Sequence, residues 1–445
     1  MAQDRRRNKS EGTPARGALA RGAKLASLPL GLAGRATAGL GRRLSGRSAE
    51  EVNADLQRQA AEQLFRVLGD LKGGAMKVGQ ALSLVEAAMP EEYGAPFREH
   101  LRKLQEAAPP MATARVHAIL SQEFGPDWRD MFSDFRPRPS AAASIGQVHR
   151  AVWADTGEPV AVKVQYPGAD EALQSDLKQL ARLSTVLAPL SGGIEVKPLV
   201  DELTARVGEE VDYALEAAAQ QRAADGFADS TEFFVPSALA HTSKVIVSQW
   251  VDGTPLMDVA EWPAEDRNRV GLQYARFLFA APERVGLLHA DPHPGNFRVM
   301  PDGRLGVLDF GGVQHFPDGL PPVMGRLLKL CARGDADVLA AGLADLGFIA
   351  GQVDPTELIE FLTPFVEPAA VEEFHFTRDW MRHQSLRVHQ ASGPDGVAAK
   401  LNLPPEFLMI DRVYLGAVSV LSQLDVRAPF AGVLDEFLPG WRDED

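Results

Sequence analysis

The chain has 445 residues, 45% hydrophobic and 24% charged, so it has a globular composition and enough length to bury a large core. Its formal net charge of −14 disfavours nucleic acid as a partner of the folded part, because an acidic surface repels phosphate. The single cysteine, Cys331, excludes an internal disulfide and fits a reducing, cytoplasmic location.

Residues 1–48 form a basic head with eleven Lys or Arg residues and two Asp or Glu residues. Between Arg21 and Arg43 apolar residues mix with cations, as in segments that lie peripherally on a membrane surface. Pro29 and several glycines weaken a helix here, so a disordered basic tail remains an equally good interpretation. No apolar stretch reaches the ~18 residues that indicate a transmembrane span.

A helical extension is predicted over residues 49–139. It begins at a capping-box pattern, Ser48-Ala-Glu-Glu51, and its apolar residues recur at helical spacing from Leu56 to Leu71. Three glycines between 73 and 79 are costly inside a helix and therefore indicate close packing or a bend. The proline-rich segment Arg136-Pro-Arg-Pro139 marks the end of this region.

Residues 140–165 predict a loop of small side chains followed by two strands. The loop, Ser140-Ala-Ala-Ala-Ser-Ile-Gly146, leads into an alternating strand, and a turn at 155–158 leads into Pro159-Val-Ala-Val-Lys-Val-Gln165. Lys163 is then the candidate for the α- and β-phosphates of a nucleotide. An ordinary strand with an outward lysine gives the same short pattern, but the seventeen residues from Gly146 to Lys163 favour a hairpin folded over one ligand.

The most informative stretch is His289-Ala-Asp-Pro-His-Pro-Gly-Asn296 with Leu308-Asp-Phe-Gly-Gly312. Asp291 precedes Asn296 by five positions and Asp309 by eighteen, which is the spacing of the protein-kinase catalytic loop and its Asp-Phe-Gly element. Asp291 is predicted to accept or orient the proton of an attacking hydroxyl. Asn296 and Asp309 supply the oxygen ligands that Mg²⁺ prefers beside phosphate.

Two histidines in this stretch, His289 and His293, invite a zinc hypothesis, which the sequence disfavours. They flank prolines in a loop, and no cysteine or third ligand follows at zinc spacing. We therefore expect no structural zinc, and we expect His289 to orient the loop by hydrogen bonding. After Gly312 the apolar periodicity becomes helical again, for example at Leu327 and Leu339.

Together these motifs resemble the AarF/UbiB-like family of atypical kinases, some of whose members are called ADCK proteins. The likeness runs from about Leu71 to Gly312 and includes Lys77-Val-Gly-Gln80, similar to the family's Lys-x-Gly-Gln signature, and Glu210-Val-Asp212, similar to its Glu-x-Asp element. The resemblance implies an α+β, two-lobed protein-kinase-like fold with an N-terminal helical extension and a helical C-terminal tail. The N-lobe is assigned to residues 140–252 and the C-lobe with its tail to residues 253–445.

The resemblance also implies roles for individual residues. Glu216 would pair with Lys163, whereas Glu210 and Asp212 would face the regulatory segment with Lys77, Gly79 and Gln80. The remaining cofactor-binding residues are assigned to the phosphate loop and the adenine-binding hinge: Ala142, Ala143, Ser144, Gly146, Gln249 and Val251. Gln249 stands where relatives often have glutamate, and Ala219 stands where many have asparagine.

The function that follows is Mg-ATP-dependent phosphoryl transfer or ATP hydrolysis. In the family the extension covers the active site, which implies small molecules, lipids or water as acceptors in place of proteins, in the neighbourhood of isoprenoid quinone metabolism. Expected partners are ATP, Mg²⁺ and an isoprenoid or anionic lipid. The alternative is a catalytically weak, nucleotide-sensing binding protein at the membrane surface.

Overall fold

A computed structural model of the chain describes residues 110–143, 145–168, 212–391 and 396–442, and all of these except 166–168 belong to one unit. In chain order the helices are α1 (Thr113–Phe124), α2 (Tyr213–Gly226), α3 (Ala264–Val285), α4 (Pro322–Arg333), α5 (Ala336–Asp345), α6 (Pro355–Ala370), α7 (Arg378–Ala391), α8 (Leu408–Leu424) and α9 (Ala431–Phe437). The basic head, the helix predicted from Leu56 to Leu71 and the Lys77 motif lie outside the described residues.

The strands divide between two larger sheets and two short pairs. In chain order they are β1 (Phe132–Phe135), β2 (Ala141–Ala143), β3 (Gly146–Trp153), β4 (Pro159–Gln165), β5 (Phe233–Phe234), β6 (Ala238–His241), β7 (Val245–Gln249), β8 (Thr254–Pro255), β9 (Leu287–His289), β10 (Phe297–Val299), β11 (Leu305–Val307), β12 (Val313–His315), β13 (Phe374–His375) and β14 (Arg427–Ala428). Together with the helices they confirm the α+β class that the sequence predicted.

The N-lobe sheet is antiparallel, in the order β1-β3-β4-β7-β6, and β2 also pairs with β3. The predicted hairpin of β3 and β4 is present, and Lys163 lies opposite Val148 and Ile246. The sheet begins earlier than the sequence analysis placed it, because residues 132–135 pair with β3 although they were assigned to the helical extension. The prolines at 137 and 139 marked a connection inside the lobe, not the boundary before it.

The two faces of this sheet differ because side chains alternate along each strand. The outer face carries buried valines such as Val160 and Val162, which pack with Leu120 of α1 and Trp128 in a small core. The other face carries Val148 and Lys163 and borders the cleft. The sequence pattern of β4, in which valines alternate with the lysine, therefore fixes which side holds the chemistry.

A buried polar pair interrupts the apolar outer face. His149 is fully buried, its Nδ1 lies 2.9 Å from the Arg136 carbonyl oxygen, and its Nε2 lies 2.8 Å from the Gln147 amide nitrogen. A carbonyl only accepts, so Nδ1 carries the proton and Nε2 accepts from Gln147. Burial lowers the pKa of His149, in agreement with this neutral form.

The C-lobe is built on α3, whose apolar stripe contributes Tyr274 and Phe277 to the largest core. Its four-stranded sheet has the order β5-β11-β10-β8, and β9 pairs separately with β12. The turn Pro301-Asp-Gly303 connects β10 to β11, and Asp309 follows β11. Helices α4 to α9 form the predicted helical tail, and no described helix is long and apolar enough to cross a membrane.

Candidate active site in the cleft

Lys163 connects the three segments that the sequence assigned to nucleotide chemistry. Its Nζ donates to Glu216 Oε1 at 2.6 Å and to Asp309 Oδ2 at 2.9 Å. Strand β4 supplies the lysine, α2 supplies the glutamate and the segment after β11 supplies the aspartate. The expected contact between Lys163 and Glu216 is therefore present, and Asp309 joins it from the C-lobe.

The pKa of Lys163 is set mainly by its two carboxylate partners. Burial alone would lower the pKa of Lys163, but the carboxylates of Asp309 and Glu216 reverse that effect and raise it well above its usual value. The Glu216 side chain is only 3% exposed, so the ion pair with Lys163 compensates a buried charge. The cluster keeps one cation between two carboxylates at neutral pH.

Backbone packing brings the small-residue loop close to this cluster. Ala143 pairs with Gly146 across the tight hairpin of β2 and β3, and Ala142 pairs with Gln147. A Cβ at Gly146 would overlap the Val164 carbonyl and would lie 2.8 Å from the Tyr213 hydroxyl oxygen. Glycine is therefore required at the end of the loop by close approach of the neighbouring chain.

Tyr213 is a site residue that the sequence analysis missed. Its ring lies beneath Lys163, with Nζ 4.9 Å from the ring centroid, and it is fully buried. Asp212, assigned from the resemblance to face Lys77, is the N-cap of α2 and accepts from the Ala214 backbone at 2.9 Å. The only signal for Tyr213 is its position directly after the Glu-x-Asp element.

Within the predicted catalytic loop, the Asn296 side chain is hydrogen-bonded to Asp291. The Asn296 side-chain nitrogen donates to Asp291 Oδ2 and to the Asp291 carbonyl, both at 3.1 Å. Tyr274, which the sequence analysis also missed, donates its buried hydroxyl to the Pro292 carbonyl at 2.7 Å. Burial, together with the Asp291 carboxylate, raises the Tyr274 pKa well above its usual value, so it remains a neutral donor.

His289 links the catalytic loop to the Asp-Phe-Gly element. Its Nε2 lies 2.6 Å from the Asp309 backbone oxygen, and the pairing of β9 with β12 places the two segments side by side. Burial lowers the pKa of His289 despite the nearby carboxylates of Asp291 and Asp309, so the ring is neutral and donates through Nε2. The predicted orienting hydrogen bond is confirmed.

The hinge predicted to contact adenine follows β7. Gln249 accepts a hydrogen bond from the Ser237 backbone through its side chain at 2.9 Å. Val251 is buried against Gly306 of β11, where a Cβ would come within 2.7 Å of the valine Cγ1. The Gln249 side chain therefore holds the end of β7 against Ser237. Contacts to a base would then come from backbone groups of the hinge.

Some predicted site residues lie outside the described residues: Lys77, Gly79, Gln80, Ser144 and Glu210. Within the described ranges no cluster of three or more His, Cys, Asp or Glu side chains is placed to hold a metal ion. Asn296 and Asp309 border the same cleft, and a hard cation there would need further oxygens from a ligand.

The chain is similar to known proteins in sequence and in structure. Residues 103–341 match the family described as ABC1 atypical kinase-like domain. The chain is 31% identical over 371 residues to Protein ACTIVITY OF BC1 COMPLEX KINASE 3, chloroplastic, of Arabidopsis thaliana, covering 80% of this chain and 49% of that protein. It is 30% identical over 294 residues to Atypical kinase COQ8B, mitochondrial, of Rattus norvegicus, covering 65% of this chain and 55% of the relative.

The chain thus spans about half the length of these curated relatives. Among solved structures, the complex of Rv3197 with erythromycin from Mycobacterium tuberculosis shares 44% identity with this chain. The match has a TM-score of 0.68 and covers 89% of this chain and 100% of the other.

Proposed function

The chain belongs to the ABC1 atypical kinase-like family, and we propose that it binds Mg-ATP and transfers the terminal phosphoryl group to a small molecule, a lipid or water. Family membership confirms the resemblance that the motifs indicated, including the kinase-like fold. The observation that carries the proposal is the bridge from Lys163 to Glu216 and Asp309, at 2.6 and 2.9 Å. A kinase cleft needs the lysine–glutamate pair to position phosphates, and it needs the aspartate of the Asp-Phe-Gly element to bind the metal.

The donor set of the cleft fits a magnesium nucleotide. Asp309 holds Lys163 with one carboxylate oxygen and accepts from the Gly311 backbone with the other at 2.9 Å, so its orientation is fixed. Asn296 would add an amide oxygen. One carboxylate and one amide suit Mg²⁺, which takes few protein ligands and completes its shell with phosphate oxygens and water.

Each residue has a separate task in this proposal. Mg-ATP supplies the phosphoryl group, and its ion neutralises phosphate charge. Lys163, held by Glu216, would bind the α- and β-phosphates, and the loop of Ala142, Ala143, Ser144 and Gly146 would cover them. Asp291 would accept the proton of the attacking hydroxyl or water, while Asn296 holds that carboxylate in position.

The acceptor class and cellular setting rest on the resemblance. An extension that covers the active site leaves small molecules, lipids or water as acceptors, with isoprenoid quinone metabolism as the expected setting. The mixed basic and apolar residues of 1–48 support peripheral contact with anionic lipids.

The test is phosphate release from Mg-ATP by the purified chain, with and without anionic vesicles. Asp309→Asn should lower the rate at least ~100-fold, because it removes the carboxylate that would hold Mg²⁺ beside the phosphates. Asp302→Asn is the matched control, since this residue lies in the exposed turn after β10. Deletion of residues 1–48 should remove any stimulation by vesicles, whereas absence of turnover in the intact chain would contradict the proposal.

A second candidate is nucleotide-dependent ligand binding without turnover. One observation favours it: the relative with 44% identity was solved with erythromycin, a small ligand. For a sensor, Asp291→Asn should preserve cellular function while Lys163→Ala removes it. Loss of function in both variants would count against this candidate.

A further inference from the structure

A cavity of about 500 Å³ lies among the helices of the C-terminal tail, behind the cleft. This volume falls within the range of roughly 300–1,000 Å³ that is typical of small-molecule sites. Helices α3, α4, α5, α6, α8 and α9 all contribute to its wall, through residues such as Leu278, Leu328, Leu343, Phe361, Ala417 and Val433.

The wall is almost entirely aliphatic and aromatic. Its clearly polar side chains are Asn402, Asp411 and Tyr414. An apolar cavity does not hold ordered water well, because water there lacks the two or more polar partners it needs. The cavity is partly open to solvent, so its apolar lining is exposed to water while no ligand is bound, which is unfavourable. A hydrocarbon occupant satisfies both constraints.

The volume of the cavity limits the size of a ligand, and its polar side chains limit the kind of head group. A methylene group takes about the volume of a water molecule, roughly 30 Å³, so the cavity has room for on the order of 15 carbon atoms. Asp411 and Tyr414 are three residues apart on α8 and therefore lie on one face of that helix. Burial raises the pKa of the Asp411 carboxyl, and the Tyr414 hydroxyl donates to the Phe365 carbonyl at 2.8 Å.

A half-buried carboxyl in the wall can hydrogen-bond a hydroxyl head but repels an anionic one. We propose that this cavity is a binding site for a single hydrocarbon chain, isoprenoid or straight, that carries an uncharged polar head. The inference does not depend on phosphoryl transfer in the cleft.

The cavity and the cleft lie on opposite faces of β9. Leu288 contributes to the cavity wall, while the next residue, His289, bonds the Asp309 carbonyl. Successive side chains of a strand point to opposite sides. A chain bound in the cavity would thus pack behind the catalytic loop, separated from Asp291, and this site is distinct from a phosphoryl-acceptor site.

The direct test is equilibrium binding of radiolabelled farnesol and of hexadecanol, with 15 and 16 carbon atoms, to the purified full-length chain. About one molecule per chain should bind, and Ala417→Phe, which fills the cavity, should weaken binding about tenfold or more. Ala332→Phe is the control, because this alanine is exposed on α4. Binding of farnesol alone would assign an isoprenoid occupant, and binding of both alcohols would assign any long chain.

Three results would overturn the proposal: binding of neither alcohol, equal binding by Ala417→Phe, or equally tight binding of palmitate, whose head is charged. None of these measurements uses ATP, so failure here and failure of the proposed phosphoryl transfer remain distinguishable.

Cys331 provides a second measurement within the unmodified chain. It is the sole cysteine and lies in the cavity wall, where burial raises the pKa of its thiol to about 11. Saturating farnesol should slow the reaction of this thiol with a small apolar thiol reagent several-fold. Unchanged labelling would contradict occupancy of the cavity, whether or not Ala417→Phe folds.

Discussion

The cleft and the C-terminal cavity are lined by opposite kinds of side chain. In the cleft, Lys163, Glu216 and Asp309 carry charges, and short contacts between them compensate each charge. In the cavity, about 500 Å³ is lined almost wholly by apolar groups, and Asp411 is the acidic side chain of that wall. The difference teaches that the charges of the cleft are compensated within the protein, whereas the apolar wall of the cavity would be stabilised by the hydrocarbon ligand that we propose.

The largest expected effect comes from breaking the pairing in the cleft. Lys163→Met should lower the free energy of unfolding by about 3–5 kcal/mol, because it leaves Glu216 buried without its cation. Lys244→Met is the control, since that lysine is exposed in the turn between β6 and β7. Urea denaturation measures both, and equal stabilities for the two variants would show that the bridge does not stabilise the fold.

An alanine-to-phenylalanine substitution should change the free energy of unfolding more in the packed core than in the cavity wall. Ala223→Phe in the fully buried core of α2 should cost about 1–3 kcal/mol through overpacking. Ala417→Phe should leave the free energy of unfolding close to that of the wild type, because the ring enters existing space. The same urea titrations check both variants, and a similar loss in each would mean that the cavity has no room for a ring.

The sequence predicted the cleft far better than the cavity, for a physical reason. Few residue types can bind phosphate and Mg²⁺, so the spacing of Asp291 and Asp309 and the strand around Lys163 indicate their chemistry directly. Leu and Phe at helical spacing predict burial in α4 to α8, but not how closely the helices fit together. Whether a cavity forms between these helices depends on how closely they fit.

Smaller misses have similar causes. Tyr213 contacts Lys163 through its ring, and Tyr274 donates one hydrogen bond to the Pro292 carbonyl. Contacts of this kind have no sequence pattern. The short strand β1 was assigned to the helical extension because the prolines after it resembled a boundary.

The buried pair of Gln147 and His149, on the outer face of the N-lobe sheet, is polar like the cleft but uncharged like most of the cavity wall. The folded-state pKa of His149 is lowered, so the folded protein resists protonation that the unfolded chain accepts below pH ~6.5. Stability should therefore fall as the pH drops below that value, by up to about 1.4 kcal/mol per pH unit.

His149→Gln is the matched variant, because it keeps a polar side chain without a titrating group. Urea titrations from pH 7.5 to 5.5, values chosen to bracket the ordinary histidine pKa of ~6.5, should show a steeper decline for the wild type. Parallel pH profiles would mean that His149 does not contribute.

The smallest expected effect concerns the helix that carries Glu216 into the cleft. Asp212→Ala should cost about 1 kcal/mol, because the N-cap bond to Ala214 is lost. Asp212→Asn should retain nearly all of that stability, since asparagine also caps helices. A large loss in Asp212→Asn would show that the negative charge matters, as expected if Asp212 faces Lys77.

The central claim, that the cleft binds a magnesium nucleotide through Asp309, is tested most directly by calorimetric titration with ATP. The intact chain and Asp309→Asn would each be titrated with Mg²⁺ and with a chelator. The account predicts that Mg²⁺ strengthens ATP binding by the intact chain and has little effect on the variant. Equal dependence on Mg²⁺ in both proteins, or no ATP binding by the intact chain, would contradict it.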